Sequence, residues 1–206
     1  MPKLVDRDSR RREVVDALFR VAVRDGLHRA SLRAVADEAG LNIGSVRHYF
    51  ADQQELMRFA MQTMLDRVGD RLQRRIDEAG DPSAFDPSQL RRLAADLLAE
   101  LLPLDETRRA EAAVFIDFIT ASRTNPAIGG DLAHRAAAGT RTLVRRILVR
   151  MTESAAPRPD LDIDIETERL TSLLDGLSLN AILHPDLINP RECIKVLQTH
   201  LDRLAD

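Results

Sequence analysis

The chain has 206 residues, 44% hydrophobic and 31% charged, with a formal net charge of -3. That length supports a real core, while no apolar run approaches the roughly 18 residues of a membrane span. The start, MPKLVDRDSRRREVV, has no apolar signal core, and the single cysteine, Cys193, excludes an internal disulfide framework and a cysteine-rich metal site. A cytoplasmic protein without cofactors is the expectation, with Cys193 as a small buried hydrophobe.

Apolar residues Val14, Val15, Leu18, Val21 and Ala22 recur at helical spacing and predict a first helix over 8–25, stopped by Gly26. Ser31 caps a second, with Leu32, Val35, Ala36 and Ala39 inward, ending at Gly40. Asn42 caps a third that turns Val46 and Phe50 inward. Asp52 and Glu55 stand at capping-box spacing before a long helix to about Glu78. The stretch GDPSAFDPS at 80–88 breaks the chain, and helices follow over 89–102 and 105–122. TNPAIGG separates these from a helix to about Thr152, whose first half is uncertain because of Gly129, Gly130 and Gly139. SAAPRPD at 154–160 reads as a linker, and two last helices occupy 163–184 and 190–204. About nine helices, no useful strand-like alternation and no internal repeat make an all-α protein, three helices at the front and a bundle behind.

The front carries the distinctive constellation. Residues 31–50, SLRAVADEAGLNIGSVRHYF, describe two small helices across a short turn, which is the form of a helix-turn-helix. Ala36 is small where the helices cross, Gly40 permits the turn, and Leu41 and Val46 lock the second helix on the first. That leaves Asn42, Gly44, Ser45, Arg47 and His48 for solvent or a major groove, with Arg47 suited to guanine edges and Ser45 to a base or phosphate. Charge agrees weakly: residues 1–50 carry ten Lys/Arg against seven Asp/Glu, and residues 51–206 twenty against twenty-six.

Over residues 10–57 this stretch, with the following ADQQEL, resembles the DNA-binding domain of the TetR family of one-component transcriptional regulators. The resemblance implies a three-helix DNA-binding domain at 1–52 and a larger helical effector-binding and dimerisation domain at 53–206. It implies a homodimer on a palindromic double-stranded operator, most simply a repressor released by a small molecule. Carried across by position, Ser31 and Arg33 fall where the family touches backbone or groove edge. Asn42, Gly44, Ser45, Arg47 and His48 fall where it reads or abuts bases, and Tyr49 where a ring meets a phosphate. Arg47 departs from a position usually aromatic or small. Gln53 replaces a lysine that commonly grips phosphate, which weakens salt-dependent affinity unless Arg10, Arg11 and Arg12 compensate.

The last two helices resemble the dimerising pair of a broad TetR-like subgroup. Leu170, Leu173, Leu174, Leu177, Leu179 and Ile182 cover more of their helix than one core stripe needs, Gly176 permits close approach, and Ile194, Leu197 and Leu201 continue the pattern. Phe59, Phe85, Phe115, Phe118 and His134 are the candidate ligand-shaping residues, with Met61 beside them. With no Trp, an aliphatic pocket and a lipophilic or amphipathic effector are expected. Asp117, inside VFIDFIT, is either a polar handle in that pocket or part of an outer face. His134, His184 and His200 lie too far apart for a metal site, and no nucleophile, phosphate loop or paired acid and base suggests an enzyme. The competing reading is a helical protein-interaction adaptor without specific DNA binding, which would more naturally expose apolar residues where Asn42, Ser45, Arg47 and His48 stand.

Overall fold

The structure, a computed structural model, describes residues 7–153 and 161–205. The linker expected at 154–160 lies outside the described residues. Among the described residues the α-helices are α1 (Arg7–Asp25), α2 (Leu32–Glu38), α3 (Ile43–Tyr49), α4 (Gln53–Ala79), α5 (Pro87–Ala99), α6 (Glu106–Thr124), α7 (Gly130–Glu153), α8 (Ile163–Leu183) and α9 (Pro190–Ala205). Single 3-10 turns at Leu27–Arg29, Pro82–Ala84 and Pro126–Ile128 precede α2, α5 and α7. No helix among the described residues is long and apolar enough to cross a membrane.

The helices gather into two compact units. One holds the chain up to Arg67 together with Ala113–His134; the other holds Val68–Ala112 together with the chain from Arg135 on. The first unit is built on α1, whose Val14, Val15, Leu18 and Val21 are almost wholly withdrawn from water. Val35 and Ala36 of α2, Val46 of α3 and Leu56 of α4 are buried with them, as is Phe50, the largest fully buried side chain of the unit. Each of the valine, leucine and phenylalanine side chains contributes about 1.5–3 kcal/mol by burial, enough to hold helices of seven residues that would not form alone.

Local chemistry sets the short helices' ends. Gly26, at φ 85°, stops α1 and begins the turn that buries Leu27. The Ser31 hydroxyl oxygen accepts from the Ala34 N–H at 3.2 Å, and the Asn42 side-chain oxygen from the Ser45 N–H at 2.7 Å. Asp52 accepts from the Glu55 N–H at 2.8 Å, while Glu55 reaches back to the Ala51 N–H, one residue before the expected box partner.

The second unit closes around Leu97, Leu98 and Leu102, Val144 and Leu148 of α7, Leu170 and Leu174 of α8, and Cys193, Leu197 and Leu201 of α9. Cys193 is fully buried, and that burial pushes its thiol pKa up, so it behaves as a small hydrophobe. Helix α5 begins earlier than its apolar pattern, because Asp86 and Gln89 form a capping box around a proline that suits the first turn. It also ends earlier: Glu100, Leu101 and Leu102 bond back three residues rather than four, tightening into Pro103. Gly139 does not interrupt α7.

Candidate nucleic-acid interface

The α2–α3 pair divides its residues cleanly between packing and presentation. Val46 and Phe50, one turn apart, are fully buried, whereas Asn42, Gly44, Arg47 and His48 are exposed and Ser45 and Tyr49 half-buried. Ser31 and Arg33 are exposed at the start of α2. The proposed DNA-facing residues therefore lie on two short helices of one unit, most of them open to solvent.

Hydrogen bonds fix what these groups have left to offer. The Asn42 oxygen takes both the Ser45 N–H and the Ser45 hydroxyl, the latter at 3.1 Å. The Asn42 amide N–H₂ keeps two donors with no acceptor among the described residues. A Cβ at position 44 would stand 3.2 Å from that same Asn42 oxygen, so glycine keeps the cap uncrowded. His48 sits edge-on to Tyr49, ring centroids 5.4 Å apart, which orients both rings on the outer surface. The Ser31 hydroxyl accepts from the helix and keeps its own proton for an outside acceptor.

Behind the interface, charge holds the helices in place. Glu38 of α2 accepts from Arg20 and Arg24 of α1, each at 2.8 Å, and the two guanidinium groups, Arg20 first, hold its carboxyl below the usual range. Arg11 is spent on structure. Its guanidinium lies 4.1 Å from the Phe59 ring centre and 4.7 Å from that of Phe50, and it donates to Glu55 at 3.0 Å. The expected compensation for Gln53 therefore does not come from Arg11, and Arg10 is paired with Glu13. Only Arg12 of the three is exposed with no partner among the described residues.

Four of the five candidate effector residues lie in the first unit and one in the second. Phe59 is in the first unit, tilted against Phe50 at 5.6 Å beneath Arg11. Phe118 is buried against Gly129, Phe115 is half-buried on the same helix, and His134 is exposed on α7. Phe85, half-buried ahead of α5, belongs to the second unit. Met61 is buried on α4. Asp117 is exposed and its side chain accepts from the Leu27 N–H at 3.2 Å, which places it on an outer face that ties α6 to the turn before α2. Sequence pattern had no signal for that role, since the partner lies ninety residues away. Among the described residues no group of three His, Cys, Asp or Glu side chains stands ready for a metal ion.

On the apolar side of α8 and α9, Leu170, Leu174, Leu177, Leu197 and Leu201 are buried within the subunit. The outward apolar set is Ile165, Leu179, Leu183, Leu187 and Val196, which are 38–71% exposed. Much of the expected dimer face is therefore core; Leu179 of that face is uncovered, together with Ile165, Leu183 and Val196 on the same helices and Leu187 between them.

Comparison with known proteins agrees with this geometry. Residues 14–58 match the family described as "Bacterial regulatory proteins, tetR family", and residues 90–206 match "BetI-type transcriptional repressor, C-terminal". The chain is 32% identical over 205 residues to the HTH-type transcriptional regulator PksA of Bacillus subtilis (strain 168), covering 100% of this chain and 94% of that protein. It is 28% identical over 201 residues to the HTH-type nicotine-responsive transcriptional repressor HdnoR of Paenarthrobacter nicotinovorans, covering 95% and 96%. A solved transcriptional regulator from Rhodococcus sp. Rha1 superposes with a TM-score of 0.77 at 30% identity, covering 94% of this chain and 95% of that one. An exposed polar face on a buried three-helix support, and matches that span the chain, lead to one conclusion: the protein belongs to the TetR family, a ligand-responsive DNA-binding transcriptional regulator with an N-terminal helix-turn-helix and a C-terminal regulatory domain.

Proposed function

We propose that the protein is a repressor that sits in the cytoplasm on a palindromic operator as a homodimer and leaves it when a small molecule binds. In this reading residues 1–52 bind DNA, and residues 53–206 take the effector and dimerise. The observation that carries it is the outer face of α3, where Arg47 and His48 are exposed directly over the buried Val46 and Phe50. Arg47 reads guanine through its guanidinium fork, and the Asn42 amide donates to a base or phosphate acceptor. Gly44 and Ser45 permit close approach of the backbone, His48 abuts the bases, and Tyr49 with Ser31 and Arg33 meets the phosphates.

A two-fold pair of such heads requires half-sites roughly 34–36 Å apart or a multiple of that. The dimer is proposed to form through α8 and α9, using the uncovered Leu179, Leu183 and Val196. For the effector we propose a lipophilic or amphipathic molecule in contact with Phe115 and Phe118 of α6. Support comes from the low aromatic content and from the similar HdnoR being described as nicotine-responsive.

Gel-shift titration against the DNA flanking its own gene tests the reading. The native protein is expected to retard that DNA selectively over random competitor, and Arg47→Ala to lose the selectivity while its helical content stays intact. Equal retardation of specific and random DNA by both proteins overturns it.

A further inference from the structure

The second unit holds a charged cleft that operator binding leaves unused. The later part of α4 sets Arg71, Arg74, Arg75 and Glu78 on one helical face, at spacings of three and four. Facing them are Glu100 just after α5, Asp105 ahead of α6, and Arg108 in its first turn; together the seven line an open cavity of about 330 Å³. That volume is at the lower end of small-molecule sites.

Two of the acceptors in this cleft, Glu100 and Asp105, are already committed. Glu100 is only 6% exposed, and its Oε1 accepts from Arg75 Nε at 2.9 Å. Its Oε2 accepts from Arg108 Nη1 at 3.4 Å and lies 3.3 Å from Arg71 Nε. Asp105 gives one oxygen to the Arg108 N–H and the other to Arg108 Nε, both at 2.8 Å. Glu111 behind the cleft is occupied with Arg71, 2.8 Å from its Nη2. Glu78 stands at the mouth, 3.9 Å from Arg75 and largely in solvent.

The donors are in surplus. Each guanidinium carries five N–H groups. Arg74 is exposed and has no partner among the described residues, and Arg71 Nε is buried without a hydrogen bond despite its nearness to Glu100. The lining holds four arginines and three carboxylates, and Glu111 behind it pairs with Arg71, so Arg74 is the one guanidinium that pairing among these groups leaves over. A neutral apolar ligand finds no apolar wall, and a cation meets four guanidinium groups. The buried Glu100 holds the forks of Arg71, Arg75 and Arg108 in place, which lowers the ordering cost of engaging a planar or tetrahedral anion.

We propose that this cleft binds a small anion bearing carboxylate or phosphate groups, held by Arg74, Arg75 and Arg108 over the buried Glu100. The site is separate from the operator-reading face, and its test is independent of DNA binding. Isothermal titration of the full chain with citrate, and separately with inorganic phosphate, is run at fixed ionic strength with chloride as the control anion. Saturable binding of one anion per chain is expected for at least one probe, and the tighter isotherm distinguishes carboxylate from phosphate. Arg74→Ala, at an exposed helical position, is expected to weaken binding at least tenfold. Arg92→Ala, an exposed arginine on α5 outside the cleft, is expected to leave it unchanged. Absence of saturation with both probes, or an Arg74→Ala protein that binds like the native chain, overturns the proposal.

Discussion

The Gln53 amide donates to the Ala30 carbonyl at 3.2 Å, so the side chain that stands where the family commonly has a lysine ties the start of α4 to the entrance of α2. Replacing it by lysine exchanges that tie for a cation beside the interface. Gln53→Lys is expected to tighten binding to random DNA and to steepen the log-affinity against log-salt slope by about 0.9, the value of one phosphate contact. Fluorescence anisotropy across a salt series measures it, and an unchanged slope would show that position 53 does not reach the backbone. At this scale the sequence was partly legible. The Ser31 and Asn42 caps followed from residue type and spacing, because a cap is a contact within three residues. The placing of Arg11 over two phenylalanine rings and beside Glu55 was not, since its partners come from 39 to 48 positions further along the chain.

Helices announce themselves through repeating apolar positions, and here the nine expected segments are found among the described residues with ends shifted by a few positions. The shifts have local causes. Pro87 reads as a breaker in sequence but occupies the first turn of α5, where its missing N–H costs nothing. The Gly129–Gly130 pair reads as a weak helix start, yet Gly129 is needed for its backbone rather than its flexibility. It has φ 128°, and a Cβ there would stand 2.6 Å from the Phe118 ring. Gly129→Ala is expected to cost about 1–3 kcal/mol, through an unfavourable backbone angle and displacement of a buried ring. Urea unfolding monitored by circular dichroism reads this as a lower midpoint. Gly139→Ala serves as the control, because a Cβ at that helical position meets nothing within 4 Å.

For the molecule as a whole, the reading head was legible because its turn, caps and buried stripe all fall within twenty consecutive residues, 31–50. The regulatory part was less so. Its core, its outward apolar row and its charged cleft are assembled from helices distant in sequence, and a leucine on α8 looks the same whether it faces α9 or solvent. The structure separates the two: Leu174 and Leu177 are buried, while Leu179 and Leu183 are 41% and 57% exposed. If α8 carries the dimer contact, the double change Leu179→Glu and Leu183→Glu places like charges across the two-fold axis. Sedimentation velocity is then expected to show monomers, with operator affinity down at least tenfold as the second half-site is lost. A dimer of native mass would move the interface off this row.

The hydrogen bond from Leu27 to Asp117, and the paired one from Arg58 to Asp131 at 2.7 and 3.1 Å, bear on how such proteins can be recombined. Both bonds lie inside the first unit, yet each joins the front of the chain to the segment Ala113–His134. A chimaera that exchanges only the N-terminal helices would carry Leu27 and Arg58 into a host with unmatched residues at both far ends. One that exchanges the N-terminal helices together with the later half of α6 and the opening of α7 keeps both pairs intact. For this scaffold, the transplantable specificity cassette is discontinuous in sequence.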